Sequence, residues 1–303
     1  MIFLYVFLSI FSSISTFRVS SEESVLDPSF FGLEFEEIDI NTSQYDANNL
    51  IISSWWIPNN SNKTMLVLHG LRSQKSDELI LKFIKEFHDL GFSIIAIDFR
   101  NHGKSSVGDF TFGLDEINDV YATLEYYYEF KDVEKVGIWG FSYGATTAVF
   151  SGLKIDSYQF SNDDNNNLYQ LNTEIVGIFS DTPYFSLTDL ISSQISRRTP
   201  LNLFFANLLK PGILVFTDLF YDFDFNSIEE NYELYSAINI PTKIIGCLGD
   251  LTVPLDQPIR ANQSLGQNSS IIEFEGCKVH GEAFDSAPSR YLEAFDKHFA
   301  DLF

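Results

Sequence analysis

Five residues, Gly140-Phe141-Ser142-Tyr143-Gly144, constrain the fold of this chain more than any others. They follow an apolar run, Val136-Gly137-Ile138-Trp139, and precede a small-residue stretch, Ala145-Thr146-Thr147-Ala148. A Gly-x-Ser-x-Gly run between a strand and a helix can form a sharp turn that lifts the serine hydroxyl out at the end of a sheet. Such a turn leaves no room for side chains at its flanks, which is the use of Gly140 and Gly144. The amides at the start of the following helix then lie near any oxyanion that develops there.

An ordinary strand-to-helix turn can share this pattern, so context decides. In the strained-turn arrangement the nucleophile precedes an acid, which precedes a histidine. The chain supplies Ser142, then Asp250 in Gly249-Asp250-Leu251-Thr252-Val253-Pro254, then His280 in Val279-His280-Gly281. Short β-like runs precede both: Lys243 to Leu248 before the aspartate and Ser270 to Phe274 before the histidine.

Elsewhere, strand-like and helix-like segments alternate. Phe35 to Ile40 reads as an edge strand and Leu50 to Ile57 as its hairpin partner. Met65 to His69 and Ser93 to Asp98 are short apolar runs of the fully buried, parallel kind. Asp77 to Leu90 carries apolar residues at helical spacing up to Gly91, and Leu114 to Phe130 reads as the next helix. This order implies an α/β fold with a parallel sheet and helices on both faces. Residues 156–173 read as a polar, acidic surface loop, and residues 186–239 interrupt the alternation.

Further motifs extend the comparison. Leu66-Val67-Leu68-His69-Gly70 resembles an oxyanion segment. Ile97-Asp98-Phe99-Arg100-Asn101-His102-Gly103-Lys104-Ser105 resembles an Asp-x-Arg-Gly-His-Gly-x-Ser turn, with Asn101 where glycine is usual. Ser180 to Leu187 resembles a strand end that leads into a lid. On these residues the chain, from about Asp27 onward, resembles the α/β-hydrolase superfamily. Within it, the chain is similar to single-domain serine hydrolases of the serine aminopeptidase-like and depalmitoylase-like branch. No His-Gly-Gly-Gly run is present, unlike in hormone-sensitive-lipase-like esterases.

The resemblance implies a mostly parallel eight-stranded sheet over residues 27–303, with a short helical lid at about 186–239. It implies Ser142 as nucleophile, His280 as base and later acid, and Asp250 as the residue that orients the imidazole. Asp181 is the second candidate for the acid. The oxyanion hole is expected from the backbone N–H groups of Leu71 and Tyr143. His69, His88, His102 and His298 read as structural. The Phe- and Leu-rich lid suggests an apolar acyl pocket, with Phe204, Phe205 and Phe216 as substrate-binding residues. Hydrolysis of a carboxylic ester is the first expectation. A thioesterase or aminopeptidase on the same residues is second, and a catalytically silent binding protein on this scaffold is a third, different class. No cofactor is expected, and no metal-ligand spacing occurs.

The net charge of −23 argues against nucleic acid and disfavours an anionic membrane surface, and no strong membrane association is expected. A small-molecule ester or acyl compound is the expected partner. Residues 1–21 hold an apolar run, Met1 to Phe11, of signal-peptide length, with small residues at Ser13 and Ser15, or Val19 and Ser21, as cleavage positions. No Lys or Arg precedes it, so an uncleaved anchor or a helix packed on the body is the alternative. Secretion is therefore expected, with a cytoplasmic or N-terminally anchored protein as the other reading. Five Asn-x-Ser/Thr sequons, at Asn41, Asn59, Asn62, Asn262 and Asn268, support export only slightly. In the resembling fold Cys247 and Cys277 lie on neighbouring strands. They are read either as a disulfide, in an oxidising compartment, or as two small buried residues.

Overall fold

The computed structural model describes the chain except residues 1, 18, 20–24, 161–170, 199–201, 222, 224, 226–228 and 230–233. Eight strands form one sheet: β1 (Glu36–Asn41), β2 (Ile51–Ile57), β3 (Thr64–Leu68), β4 (Ser93–Ile97), β5 (Lys135–Phe141), β6 (Glu174–Asp181), β7 (Thr242–Cys247) and β8 (Ser269–Phe274). Their spatial order is β1-β2-β4-β3-β5-β6-β7-β8. β2 pairs antiparallel with both β1 and β4, and every other pairing is parallel. β3 and β4 are buried at every position, as parallel central strands covered on both faces must be.

The helices are α1 (Ile2–Phe17), α2 (Glu78–Asp89), α3 (Ile117–Lys131), α4 (Tyr143–Phe160), α5 (Leu187–Arg198), α6 (Leu203–Tyr221), α7 (Asp256–Leu265), α8 (Ala283–Ser286) and α9 (Pro288–Phe299). α2 presents Ile80, Phe83, Ile84 and Phe87 to one face of the sheet. There Phe83 packs on Trp139 of β5, and Phe87 stacks on Phe295 of α9 at 4.0 Å between ring centroids. Residues of α3 and α4, among them Tyr121, Leu124 and Val149, fill the opposite layer. Two core layers around one sheet account for both sets of buried residues.

Most expected elements fall within two or three residues of their observed bounds. The polar stretch expected as a loop over 156–173 is shorter than that, because α4 continues to Phe160. Its centre lies outside the described residues. Residues 186–239, where the alternation breaks, contain α5 and α6, inserted between β6 and β7.

The Asn101 departure has a local explanation. Asn101 sits at φ 64°, a left-handed conformation that asparagine tolerates better than most side chains. Its side chain donates to Gly108 O at 2.9 Å and accepts from Gly108 N at 3.1 Å, closing the loop that a glycine would leave open. Beside it, Arg100 is buried against Asp119 and Asp46, at 2.7 Å to each.

Candidate functional site

Ser142 stands at the junction of β5 and α4 with φ 56°. Its N–H donates to Asp181 O at 2.8 Å, which fixes the turn against β6. The flanking glycines are required by close approach. A Cβ on Gly140 would lie 2.3 Å from Gly144 O, and one on Gly144 would lie 2.4 Å from Leu68 O. Those contacts are with backbone atoms, which cannot swing aside.

Asp250 and His280 follow β7 and β8, at the same end of the sheet as Ser142. Asp250 is buried. Its Oδ1 accepts from Thr252 N at 2.7 Å and Val253 N at 3.0 Å. Its Oδ2 accepts from His280 Nδ1 at 2.5 Å. The loop amides thus hold one carboxylate oxygen while the other holds the imidazole. A disulfide between Cys247 and Cys277, with Cα atoms 5.9 Å apart, joins the segments that carry Asp250 and His280.

Asp181, the second candidate acid, is placed differently. Its Oδ2 accepts from Tyr291 Oη at 2.7 Å, and Tyr291 Oη accepts from Trp139 Nε1 at 2.8 Å. Burial pushes its carboxyl up to about 7, against the Tyr291 hydrogen bond that works the other way. Trp139, Tyr291 and Asp181 therefore form a buried brace beneath the serine turn. Sequence reasoning missed this brace because its members are 110 and 152 residues apart.

Two of the histidines read as structural support the segment after β3. His69 Nδ1 donates to Gly70 O at 2.8 Å, and its Nε2 accepts from Phe99 N at 3.0 Å. His102 Nδ1 donates to Arg100 O at 2.8 Å, and its Nε2 accepts from Arg72 N at 3.1 Å. Each ring is a donor at Nδ1 and an acceptor at Nε2, the neutral form. Burial lowers both, His69 to about 3. Between Gly70 and Arg72 lies Leu71, which lines the same cavity as Tyr143.

That cavity has a volume of about 430 Å³, and Ser142, His280 and Phe141 all line it. The structure brings Ser142, His280, Leu71 and Tyr143 together along its wall. It does not bring Phe204, Phe205 and Phe216 there. Phe204 and Phe205 are 72% and 50% exposed at the start of α6, and Phe216 is half-buried farther along it. The face of α6 that is buried carries Ala206, Leu209, Ile213 and Thr217 instead. The apolar wall comes from α5, through Leu187, Leu190, Ile191 and Ile195, and from Phe11 of α1. A weakly apolar helix such as α5 gives little signal in sequence, and nothing local links residue 11 to residue 142.

Gln194 of α5 donates to Thr252 O at 2.6 Å, so the wall is tied to the Asp250 loop. Among the described residues no cluster of three His, Cys, Asp or Glu side chains could hold a metal ion.

A sequence model of the alpha/beta hydrolase fold family matches residues 63–154. No curated protein matches the chain. Among solved structures it is similar to the esterase Pf2001 of Pyrococcus furiosus, at 20% identity and a TM-score of 0.71, over 93% of this chain and 98% of that one. It is also similar to Est1E of Butyrivibrio proteoclasticus in a structure with bound ferulic acid, at 13% identity and a TM-score of 0.57, over 85% and 98%. An alpha-beta hydrolase of Vibrio vulnificus aligns at 16% identity and a TM-score of 0.60, over 88% and 81%. With its eight-stranded order, the serine turn after β5 and the matched segment over 63–154, this chain has the α/β-hydrolase fold.

Proposed function

We propose that this protein is a serine hydrolase that cleaves carboxylic esters bearing an apolar acyl group. The observation that carries the reading is a single cavity in which Ser142, His280 and the Leu71 and Tyr143 segments meet, with His280 held by buried Asp250. His280 Nε2, left free to accept because Nδ1 donates to Asp250, takes the Ser142 proton as Oγ attacks the ester carbonyl carbon. The N–H groups of Leu71 and Tyr143 stabilise the oxyanion, at a few kcal/mol per donor. The tetrahedral adduct collapses to an acyl-enzyme, and His280 returns the proton to the leaving alcohol. Water then attacks the acyl-enzyme with the same base and releases the carboxylic acid and Ser142.

The α5 wall supports an apolar acyl group. In this reading α5 and α6 serve as the lid. The described lining contains no Asp or Glu, so nothing there would pair with the ammonium of an amino-terminal substrate. That favours an ester over an aminoacyl amide. The similar Pyrococcus protein, itself an esterase, points the same way. The Cys247–Cys277 bridge supports an oxidising compartment outside the cytosol. Labelling with a fluorophosphonate probe, followed by p-nitrophenyl esters of graded chain length, thioesters and aminoacyl amides, tests the proposal. Absence of labelling in folded protein leaves the silent-scaffold reading in its place.

A further inference from the structure

α1 and α6 pack against each other, and hydroxyl groups of α1 lie in their seam. Tyr5 Oη accepts from Gly212 N at 3.0 Å, and Ser13 and Thr217 share a hydrogen bond of 2.7 Å. Ser9 is fully buried, and a Cβ on Gly212 would lie 2.4 Å from its Oγ. Tyr5, Ser9 and Ser13 repeat every four residues, so they form one stripe of α1. Small and hydroxylated residues at a helix–helix seam let two backbones approach closely.

The outward faces are apolar. On α1, Phe3, Leu4, Phe7, Phe11 and Ile14 are between 44% and 85% exposed, on the stripe opposite the serines. On α6, Phe204, Leu208, Val215 and Leu219 are between 58% and 72% exposed, again on one side. A helix pair that meets water places its apolar stripe inside and its polar stripe outside. α1 does the reverse, and α6, which buries Leu209 and Ile213, still leaves a second apolar stripe outside. Phe204 and Phe205, assigned to the pocket from the sequence, are exposed at the start of α6.

Charge narrows what can cover this face. In a chain of net charge −23, α1 carries no charged residue, and α6 carries one Lys and one Asp. An acidic or basic protein surface finds little counter-charge there, with Lys210 already paired to Asp189, and an anionic bilayer is repelled by the rest of the molecule. An uncharged apolar phase is complementary. α6 is also long and apolar enough to cross a membrane by composition, with only 28% of that stretch buried. Phe11 lies on the exposed stripe and lines the cavity, so the apolar face is continuous with the pocket mouth.

We propose that α1 and α6 together dock on a zwitterionic lipid bilayer, and that ester substrates enter the pocket from the lipid past Phe11. α1 is then a retained part of the protein and not a cleaved leader. The docking stands on the helix pair alone; only the substrate's route rests on the ester-hydrolase reading. Shallow insertion of apolar side chains at the interface is the expected mode, and it is insensitive to salt.

The test is flotation of the full chain with phosphatidylcholine vesicles at low and high salt, beside a Phe7→Glu/Leu219→Glu variant. Both positions are exposed and neither lines the cavity, so the variant should fold and hydrolyse a water-soluble short ester within about twofold of wild type. Wild type should float, and the variant should lose at least tenfold of its bound fraction. Three outcomes overturn the proposal. One is wild-type protein that hydrolyses the soluble ester but stays out of the vesicle fraction. Another is sedimentation analysis showing a dimer that the variant abolishes, without vesicle binding, which assigns the face to a second copy. The third is a mature, folded chain whose intact mass lacks α1. Failure of fluorophosphonate labelling removes the hydrolase reading but leaves the flotation result intact.

Discussion

Exchanging Asp250 for asparagine should nearly abolish activity while leaving the loop intact, and the same exchange at Asp181 should not. In Asp250→Asn the amide oxygen can take the place of Oδ1 and keep the Thr252 and Val253 amides, now at 2.7 and 3.0 Å. Its NH2 group then faces His280 Nδ1, where a carboxylate oxygen now accepts at 2.5 Å. Two donors cannot share that contact. The imidazole must move its proton to Nε2, and the nitrogen that should take the Ser142 proton no longer accepts. In serine proteases the same exchange leaves the wrong tautomer and lowers kcat roughly 10⁴-fold. Each factor of ten corresponds to about 1.36 kcal/mol, so the barrier should rise by ~5.5 kcal/mol.

Asp181 presents the opposite situation. With its carboxyl at about 7, it is substantially protonated at neutral pH, and asparagine is nearly isosteric with that neutral form. Asp181→Asn should cost less than about tenfold in kcat/KM, through a small shift of the brace under Ser142. Steady-state kinetics on p-nitrophenyl butyrate at pH 7.5, with circular dichroism to establish folding, compare the two. If Asp181→Asn is the more damaging, or Asp250→Asn retains a tenth of wild-type activity, the assigned geometry of acid and base is wrong.

Other expectations follow from the same contacts. Ser142→Ala should keep the fold and lose both fluorophosphonate labelling and ester turnover; near-wild-type turnover in a folded variant removes the nucleophile assignment. Leu190→Ser and Ile191→Ser should lower kcat/KM for octanoyl esters by an amount equivalent to roughly 1–3 kcal/mol while sparing acetyl esters, and equal loss on both would make α5 mere packing. Stability should respond to Asp181 with a defined sign. Its folded value of about 7 exceeds the ordinary 3.8, so the folded state holds the extra proton and wild type loses stability as pH rises from about 4 to 7. The Tm of Asp181→Asn relative to wild type should therefore climb between pH 5 and pH 8, and a flat difference contradicts the burial effect. Replacing Cys247 and Cys277 together by alanine removes a bridge across 30 residues and should cost about 3–4 kcal/mol by the chain-entropy estimate, read as a lower urea midpoint.

The serine turn was legible from sequence because its requirements are local. A left-handed Ser142 and two glycines without room for a Cβ are properties of five consecutive residues. The strand order along the chain was legible too, since fully buried β3 and β4 need unbroken apolar runs. Asp250 and His280 could be picked out because each closes a strand in the right order, but the contact between them exists only once β7 and β8 are adjacent. The pocket wall was beyond the sequence. Apolar spacing shows that a helix has an apolar face and not which way that face turns, because the direction is set by the partner it packs against. α6 carries the stronger apolar signal yet turns Phe204 and Phe205 outward, while α5, with less of it, lines the cavity. Tertiary structure alone set α1 beside α6, through contacts across more than two hundred residues such as Ser13 to Thr217.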